Sequence, residues 1–246
     1  MNKAEVILAN WNRFEQHRML WEPVWQELSE YIQPRKSTIL TKRTPGQRLT
    51  DKLFDSVGVH SNELLAASMQ GSLTSSAMSW FGMRIRALAL DADHPIRVWL
   101  EACSEIMHDQ LRQSNFSSET HEVYSDLGCF GTGALYEDEL PPQPGQKFTG
   151  LRFTSIHPGA YCIDEDAEGR VNLFYWKQSM SAQAAEDFFG KENISEEVAR
   201  ALVPGKGDPM ERFEFIHAVY PARMLLPTTG GSRQRCLRNS RGRHAG

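Results

Sequence analysis

The 246 residues are 40% hydrophobic and 10% aromatic, enough apolar material for one large domain or two small ones, and this composition excludes general disorder. No apolar run approaches the roughly 18 residues of a membrane-spanning helix, and the N-terminus becomes polar too early for a signal peptide, which indicates a cytoplasmic origin. The formal charge of −4 combines an acidic body, residues 1–223, with a basic tail, residues 224–246, that holds five arginines and no acid.

The first 130 residues carry the spacing of amphipathic helices. Apolar side chains recur every three or four positions between Val6 and Ile32, which predicts two helices or one helix kinked at Pro23. Asp55 is a candidate N-cap for the next helix. Another helix is predicted to begin at His94, which precedes a proline, and a further one follows a break near residue 115.

Two segments interrupt this helical half. Residues 35–50 are basic, contain a Pro-Gly pair and lack periodicity, which indicates a solvated loop or an arm that contacts phosphate. In residues 81–85, apolar side chains alternate with glycine and arginine, the period-two pattern of a half-buried strand. The sequence therefore predicts one strand near 80–87 within residues 1–130.

From Gly131 onward the pattern changes to short strands separated by turns. The predicted strands lie within residues 133–139, 148–156, 160–165, 170–178 and 213–221. Two short helices are predicted near Ser181 and Ser195, with Ser195 as an N-cap. We therefore predict an α+β protein, with a helical N-terminal half (1–130), a mainly antiparallel β region with short helices (131–223) and a disordered basic tail (224–246).

No motif assembles a catalytic or metal site. Residues 72–79 hold five serine and threonine hydroxyls, but no GxSxG elbow or partnering base is indicated, so we interpret them as a linker. The four cysteines lie at least 26 residues apart without a CxxC pair, which indicates reduced, packed thiols. The histidines show no HxxxH or HExxH spacing, and His157 and His217 are interpreted as scaffold residues. The sequence predicts no cofactor.

Two loops imitate ligand-binding motifs. LGCFGTGALYED is glycine-rich, but its order of helix, glycines and strand reverses that of a nucleotide loop, which predicts a tight turn with close backbone packing. DEDAEGRVNLFY begins like a calcium loop, with acids at Asp164, Asp166 and Glu168 before Gly169. Tyr175 stands where that loop needs its bidentate glutamate, so we predict an acidic hairpin turn.

Five segments in register resemble the portal proteins of short-tailed bacteriophages, which connect the head to the tail. They are WEPVWQELSEYIQP, DKLFDSVGVHSNELLAASMQGSLTSSAMSWFGMRI, VWLEACSEIMHDQLRQSNF, DLGCFGTGALYEDE and FEFIHAVYPAR. The likeness runs from about Trp11 to Arg223, and its most specific element is a D-S-x-G helix start that leads through small residues into a W-F strand. In such a protein the hydroxyl-rich run is a hinge between helix and strand.

The resemblance implies a structural protein of the portal wing and body type, without enzymatic activity. It implies a homo-oligomeric ring, typically dodecameric, at one vertex of the virion capsid, with assembly in the bacterial host cytoplasm. Double-stranded DNA passes through the ring during genome packaging and ejection. The implied partners are the packaging terminase, capsid or scaffold proteins and tail proteins, with no membrane.

The chain departs from the family after Arg223, where family members, roughly twice as long, continue into channel helices. Instead the basic tail follows, and it holds weak candidates for nucleic-acid contact, Arg233, Arg235, Arg238, Arg241 and Arg243. We hypothesise that the chain is a portal fragment whose tail was translated out of frame, either in a decayed prophage gene or through a sequencing frameshift. A shifted reading frame commonly yields amino-acid sequence that is rich in arginine and lacks acidic residues. The alternative is a small, non-specific DNA-binding protein with a basic C-terminal arm.

Overall fold

The computed structural model describes residues 3–41, 44, 46–86, 93–141, 148–205 and 207–221. The α-helices of this part are α1 (Lys3–Arg18), α2 (Glu22–Ile32), α3 (Val57–Leu73), α4 (His94–Gln113), α5 (Phe116–Phe130), α6 (Ala182–Phe189) and α7 (Glu196–Ala201). The strands are β1 (Ala134–Glu139), β2 (Leu151–Ile156), β3 (Tyr161–Glu165), β4 (Val171–Ser181) and β5 (Arg212–Val219). None of these helices is both long and apolar enough to cross a membrane.

The helices begin where local sequence signals predict. Pro23 lies in the first turn of α2, so the chain forms two helices there rather than one kinked helix. Pro95 lies in the first turn of α4. The N-cap of α3 is Ser56, one residue after the predicted Asp55, although the carboxylate of Asp55 accepts from the backbone N–H of Val57, the first residue of the helix. Each of these signals acts within one helical turn, which is why the sequence alone reveals them.

The two sheets are antiparallel, as predicted. β1 and β2 form a two-stranded sheet in which Ala134 lies opposite Ile156 and Glu139 opposite Leu151. The other sheet has the order β3-β4-β5. The Ser195 side chain accepts a hydrogen bond from the N–H of Val198, which confirms the predicted N-cap of α7. The α+β class, with helices first and antiparallel strands later, is confirmed.

The predicted strand at residues 81–85 is corrected by the structure. Residues 79–85 run without a turn or bend, yet no strand among the described residues pairs with them. A strand exists only when a second backbone supplies its hydrogen bonds, and a period-two pattern says nothing of that partner. Here the N–H of Met83 donates to Ser104 Oγ on α4, at 3.0 Å.

The chain forms two compact units. The first unit comprises residues 1–21 and 160–246, and in its described part α1 packs Ile7, Trp11 and Phe14 against the β3-β4-β5 sheet. α6 and α7 add a second cluster around Phe213 and Phe215 of β5. This division crosses the predicted segments at 1–130 and 131–223, because the first helix packs on strands that are distant in sequence.

The second unit comprises residues 22–159 and is organised around α5. Helices α2, α3 and α4 and the β1-β2 sheet all pack against α5. Aromatic contacts connect residues 80–81 to this core. Phe81 meets the ring of His108 on α4 edge-on at 4.0 Å, and Trp80 stacks on Phe116 of α5, which in turn meets Phe153 of β2.

Candidate functional site

A buried ion pair ties the start of the basic loop to α5. Lys36 Nζ lies 2.5 and 2.7 Å from the two carboxylate oxygens of Asp126, whose side chain is fully buried. Glu122, one turn earlier on α5, lies 3.3 Å from Lys36 Nζ and 3.2 Å from Arg35 Nη2. The first two cations of the loop therefore pair with carboxylates of the same unit, and the buried pair of Lys36 with Asp126 marks Lys36 as a scaffold residue.

The electrostatics of Asp126 fit a structural role. Burial is the largest influence and raises the pKa of the Asp126 carboxyl, while the charge and the hydrogen bond of Lys36 act in the opposite direction. The cation therefore offsets the cost of desolvating the carboxylate.

Gln26 of α2 holds the next part of the loop through its side-chain amide. Its Oε1 accepts hydrogen bonds from the N–H groups of Ile39 and Leu40, at 3.1 and 3.0 Å, and its Nε2 donates to the carbonyl of Ser37. His157 binds the loop from the sheet side: Nε2 lies 3.0 Å from the carbonyl of Lys36, and Nδ1 accepts from the N–H of Gly159. Both ring nitrogens contact backbone, which confirms His157 as a scaffold residue.

A second amide contact fixes the approach of α3 to α5. Asn62 Nδ2 donates to the carbonyl and the hydroxyl of Ser125, both at 3.1 Å, and Gln33 Nε2 donates to the same hydroxyl. Gly128 lies beside Asn62, and a β-carbon at this position would stand 2.3 Å from Asn62 Oδ1. The two helices can come this close only because residue 128 has no side chain. We call Gln33, Lys36, Asn62, Ser125 and Asp126 the polar cluster.

The hydroxyl-rich residues 72–79 have local structural contacts. Thr74 Oγ1 lies 3.2 Å from the hydroxyl of Tyr124, and Ser75 Oγ accepts from the N–H of Ala77. Among the described residues, no histidine or carboxylate hydrogen-bonds to any hydroxyl of this run. These contacts agree with the interpretation as a linker, except that Ser72 lies in the last turn of α3.

The two segments that resemble ligand-binding loops, LGCFGTGALYED and DEDAEGRVNLFY, both form turns. Gly131 ends α5 in the left-handed region with φ of 72°, and β1 begins three residues later, so the glycines form the predicted helix-to-strand turn. Asp166 Oδ1 accepts from the N–H groups of Glu168 and Arg170 in the hairpin between β3 and β4. In the described ranges, no cluster of three or more histidine, cysteine or acidic side chains could hold a metal ion.

No cysteine in the described part of the chain forms a disulfide. Cys129 lies on α5 inside the second unit, where burial and, to a lesser extent, the nearby Asp126 raise its pKa to about 12. A thiol protonated at every physiological pH is a poor nucleophile, so Cys129 is a packing residue. His217 is also buried, stacked on Trp176, which agrees with its predicted scaffold role.

An open groove of about 530 Å³ lies between residues 79–84 and α4. Its charged lining residues are Arg84, Arg97, Glu101 and Glu105. Within the described residues none of these four forms an ion pair. An open groove lined by charges differs from the enclosed, largely apolar pockets that bind small molecules.

The five candidate arginines at positions 233, 235, 238, 241 and 243 lie outside the described residues. Within the described residues, the polar and charged side chains described above form structural contacts or line the open groove.

Comparison with known proteins identifies the family of the chain. A family model described as bacteriophage head to tail connecting protein matches residues 4–235. The chain belongs to this family. The portal resemblance found in the sequence is thus confirmed.

Two curated relatives are phage portal proteins by name. The chain is 27% identical over 221 residues to a probable portal protein of Bordetella phage BPP-1, covering 89% of the chain and 38% of that protein. It is 27% identical over 199 residues to the portal protein of Salmonella phage epsilon15, covering 80% of the chain and 34% of that protein. The chain thus spans little more than a third of either relative.

The family match also extends beyond the point where the resemblance had been placed. It continues from Arg223 to residue 235, so the first part of the basic tail, including Arg233 and Arg235, still belongs to the matched region. The family's sequence pattern therefore does not stop where the tail was taken to begin.

Proposed function

We propose that this chain is part of a phage portal subunit, a structural protein of the capsid vertex. Copies of it join with further portal sequence into a ring, typically dodecameric in this family, through which double-stranded DNA is packaged and ejected. The observation that carries the proposal is the family match over residues 4–235, which includes almost all of the folded part. The proposed partners are the packaging terminase, capsid or scaffold proteins and tail proteins, in the virion and in the host cytoplasm during assembly.

The described contacts support a role without turnover. Lys36, Asp126 and His157 are engaged by their own unit, and the thiol of Cys129 is protonated. The acidic balance of residues 1–223 also suits a DNA conduit, because a surface that does not bind phosphates tightly lets the duplex slide.

Exposed apolar side chains of the second unit support self-assembly. Phe54, before α3, is 93% exposed, and Trp99 and Ile106 on α4 are each 61% exposed. Large apolar side chains exposed in groups mark surfaces that other chains cover. Because the chain spans little more than a third of its relatives, we expect such surfaces to give monomers or irregular oligomers, and not uniform rings, when this chain is studied alone.

Sedimentation velocity and calorimetry on the purified chain test this function. We expect reversible association that strengthens with protein concentration, because apolar surfaces drive it, and no heat of ATP binding. Micromolar ATP binding with hydrolysis would overturn the structural role. Uniform twelve-fold rings in electron micrographs would support the portal role but contradict the expectation of irregular assembly.

A further inference from the structure

An extended segment of the second unit has no strand partner. In residues 80–86, the N–H of Met83 donates to Ser104 Oγ, and no other backbone group of the segment hydrogen-bonds to a described residue. Phe81 and Ile85 are half-buried, whereas Arg84 and Arg86 are exposed, so the segment keeps the two-faced character of a strand. We call residues 80–86 the unpaired segment.

The β1-β2 sheet has one uncovered edge within the described residues. On the outer side of β2, the side chain of Asn115 bonds to both the N–H and the carbonyl of Phe153, and Glu119 accepts from the N–H of Ser155. These contacts close that edge. β1 pairs with β2 on one side, and no described strand lies on its other side. A two-stranded sheet with an open edge readily accepts a further strand.

The unpaired segment and the open edge carry opposite charges. Arg84 and Arg86 point to solvent from the segment, and Glu137 and Glu139 do so from β1. None of the four side chains has an ion-pair partner among the described residues. Within one copy the segment does not pair with β1, so any such pairing joins two copies.

We propose that the unpaired segment of one copy adds as an antiparallel strand to the β1 edge of a neighbouring copy. Arg86 then lies opposite Glu137, Arg84 opposite Glu139, and the half-exposed Met83 opposite Leu140. Opposite charges directly across a strand pair are favourable, and backbone hydrogen bonds supply the remaining attraction.

This pairing uses two different surfaces of the chain, one as donor and one as acceptor. An interface of that kind is heterologous, and it forms a ring when the rotation between successive copies closes on itself. The inference therefore rests on the proposed portal function and names the surfaces by which its copies meet. Antiparallel pairing is the commoner arrangement of strands. Here it places the two charge pairs and the pair of Met83 with Leu140 in one register.

Disulfide trapping between two differently substituted copies tests the pairing. In a background with Cys103→Ser and Cys236→Ser, one preparation carries Arg86→Cys and the other Glu137→Cys, and they are mixed, oxidised and separated on a non-reducing gel. We expect the Arg86→Cys copy to form a mixed dimer with the Glu137→Cys copy at least about tenfold faster than with a control copy that carries Ala67→Cys, on the exposed side of α3. The reason is that neighbouring residues of paired strands lie within disulfide reach.

A charge swap at the second pair separates pairing from general damage. Adding Arg84→Glu to the first copy should lower the yield of the 86–137 disulfide, and adding Glu139→Arg to the second copy should restore it. Restoration by a second charge reversal is not expected from a misfolded protein. Yields that fall further with the second substitution would overturn the proposed register.

The remaining outcomes distinguish the strand-pairing inference from the proposed portal function on which it rests. A mixed dimer that forms no faster than the Ala67→Cys control, while sedimentation still shows self-association, refutes the strand pairing and leaves the portal role intact. Faster trapping of Arg84→Cys with Glu137→Cys indicates a different register and likewise refutes it. If copies show no association at any concentration and the chain binds ATP, both the pairing and the portal role fail.

Discussion

Replacing Gly128 by alanine tests how closely α3 and α5 approach. The new β-carbon would stand 2.3 Å from Asn62 Oδ1 and 3.4 Å from a methyl carbon of Leu65. Asn62 is a short, buried side chain held by two hydrogen bonds to Ser125, so it cannot rotate away without breaking them. Either these bonds break or the helices move apart.

The relative sizes of three free-energy changes decide whether Gly128→Ala stabilises or destabilises the protein. Alanine in place of glycine inside a helix favours folding by about 0.5–1 kcal/mol. Two lost hydrogen bonds cost about 1 kcal/mol each, and forcing one methyl group into a packed interface costs about 1–3 kcal/mol. The substitution should therefore lower the free energy of unfolding by about 1–3 kcal/mol, opposite to the helix propensity.

Urea denaturation followed by circular dichroism measures the change. Gly71→Ala is the matched control, because residue 71 also lies inside a helix but a β-carbon there meets no atom within 4 Å, so this variant should be more stable than the parent by about 0.5–1 kcal/mol. In an Asn62→Ala background the cost of Gly128→Ala should largely vanish, since the clashing atom is gone. If Gly128→Ala proves as stable as Gly71→Ala, the close approach of the two helices is wrong.

Three further predictions follow from the polar cluster, the thiol and the tail. Lys36→Met should cost about 3–5 kcal/mol at pH 7, because it leaves Asp126 buried without its cation. The pKa of the Asp126 carboxyl, already raised in the folded protein, rises further in this variant. The loss of stability should therefore shrink as the pH falls toward about 4, where the unfolded carboxyl also binds a proton. Urea midpoints measured across that pH range test this dependence. Cys129, with a pKa of about 12, should resist iodoacetamide at pH 8 under native conditions while the half-buried Cys103 reacts, as followed by peptide mass spectrometry. Deleting residues 224–246 should leave the urea midpoint unchanged and remove any salt-dependent DNA binding, which titrations at several salt concentrations would detect; binding that survives would exclude the arginines as its source.

The elements that the sequence predicted well are those specified locally. Pro23 and Pro95 mark first helical turns and Ser195 caps a helix, because each acts on backbone groups within four residues. The strand at residues 81–85 was wrong for the complementary reason, since its pattern is local but its hydrogen-bonding partner would have to come from elsewhere.

The polar cluster was not predicted, although every member is visible in the sequence. Lys36 and Asp126 are 90 positions apart, and Asp126 stands in a helical stretch where an acid ordinarily faces solvent. Gly128 was recognised as part of a tight glycine turn, but the demand on it comes from Asn62 on another helix. Such contacts depend on how the helices pack, which no spacing rule within one segment contains.

The second unit satisfies certain buried polar groups internally but leaves strand edges and apolar side chains exposed at its surface. This difference supports the inference that other chains complete the unit. Inside, Asp126 has its cation and Asn62 has its hydrogen bonds to Ser125, so these two buried groups are satisfied within the unit. At the exposed edges, most backbone groups of residues 80–86 have no partner among the described residues, and no described strand pairs with the outer edge of β1, although water can satisfy exposed backbone groups at little cost. Water cannot compensate an exposed side chain such as Trp99 in the same way, because hydration of apolar surface is itself unfavourable. The strand edges would then specify where a neighbouring copy docks, and the apolar side chains would supply much of the attraction. Charge reversal at residues 84 and 139 should therefore change which surfaces meet more strongly than it changes whether copies associate at all.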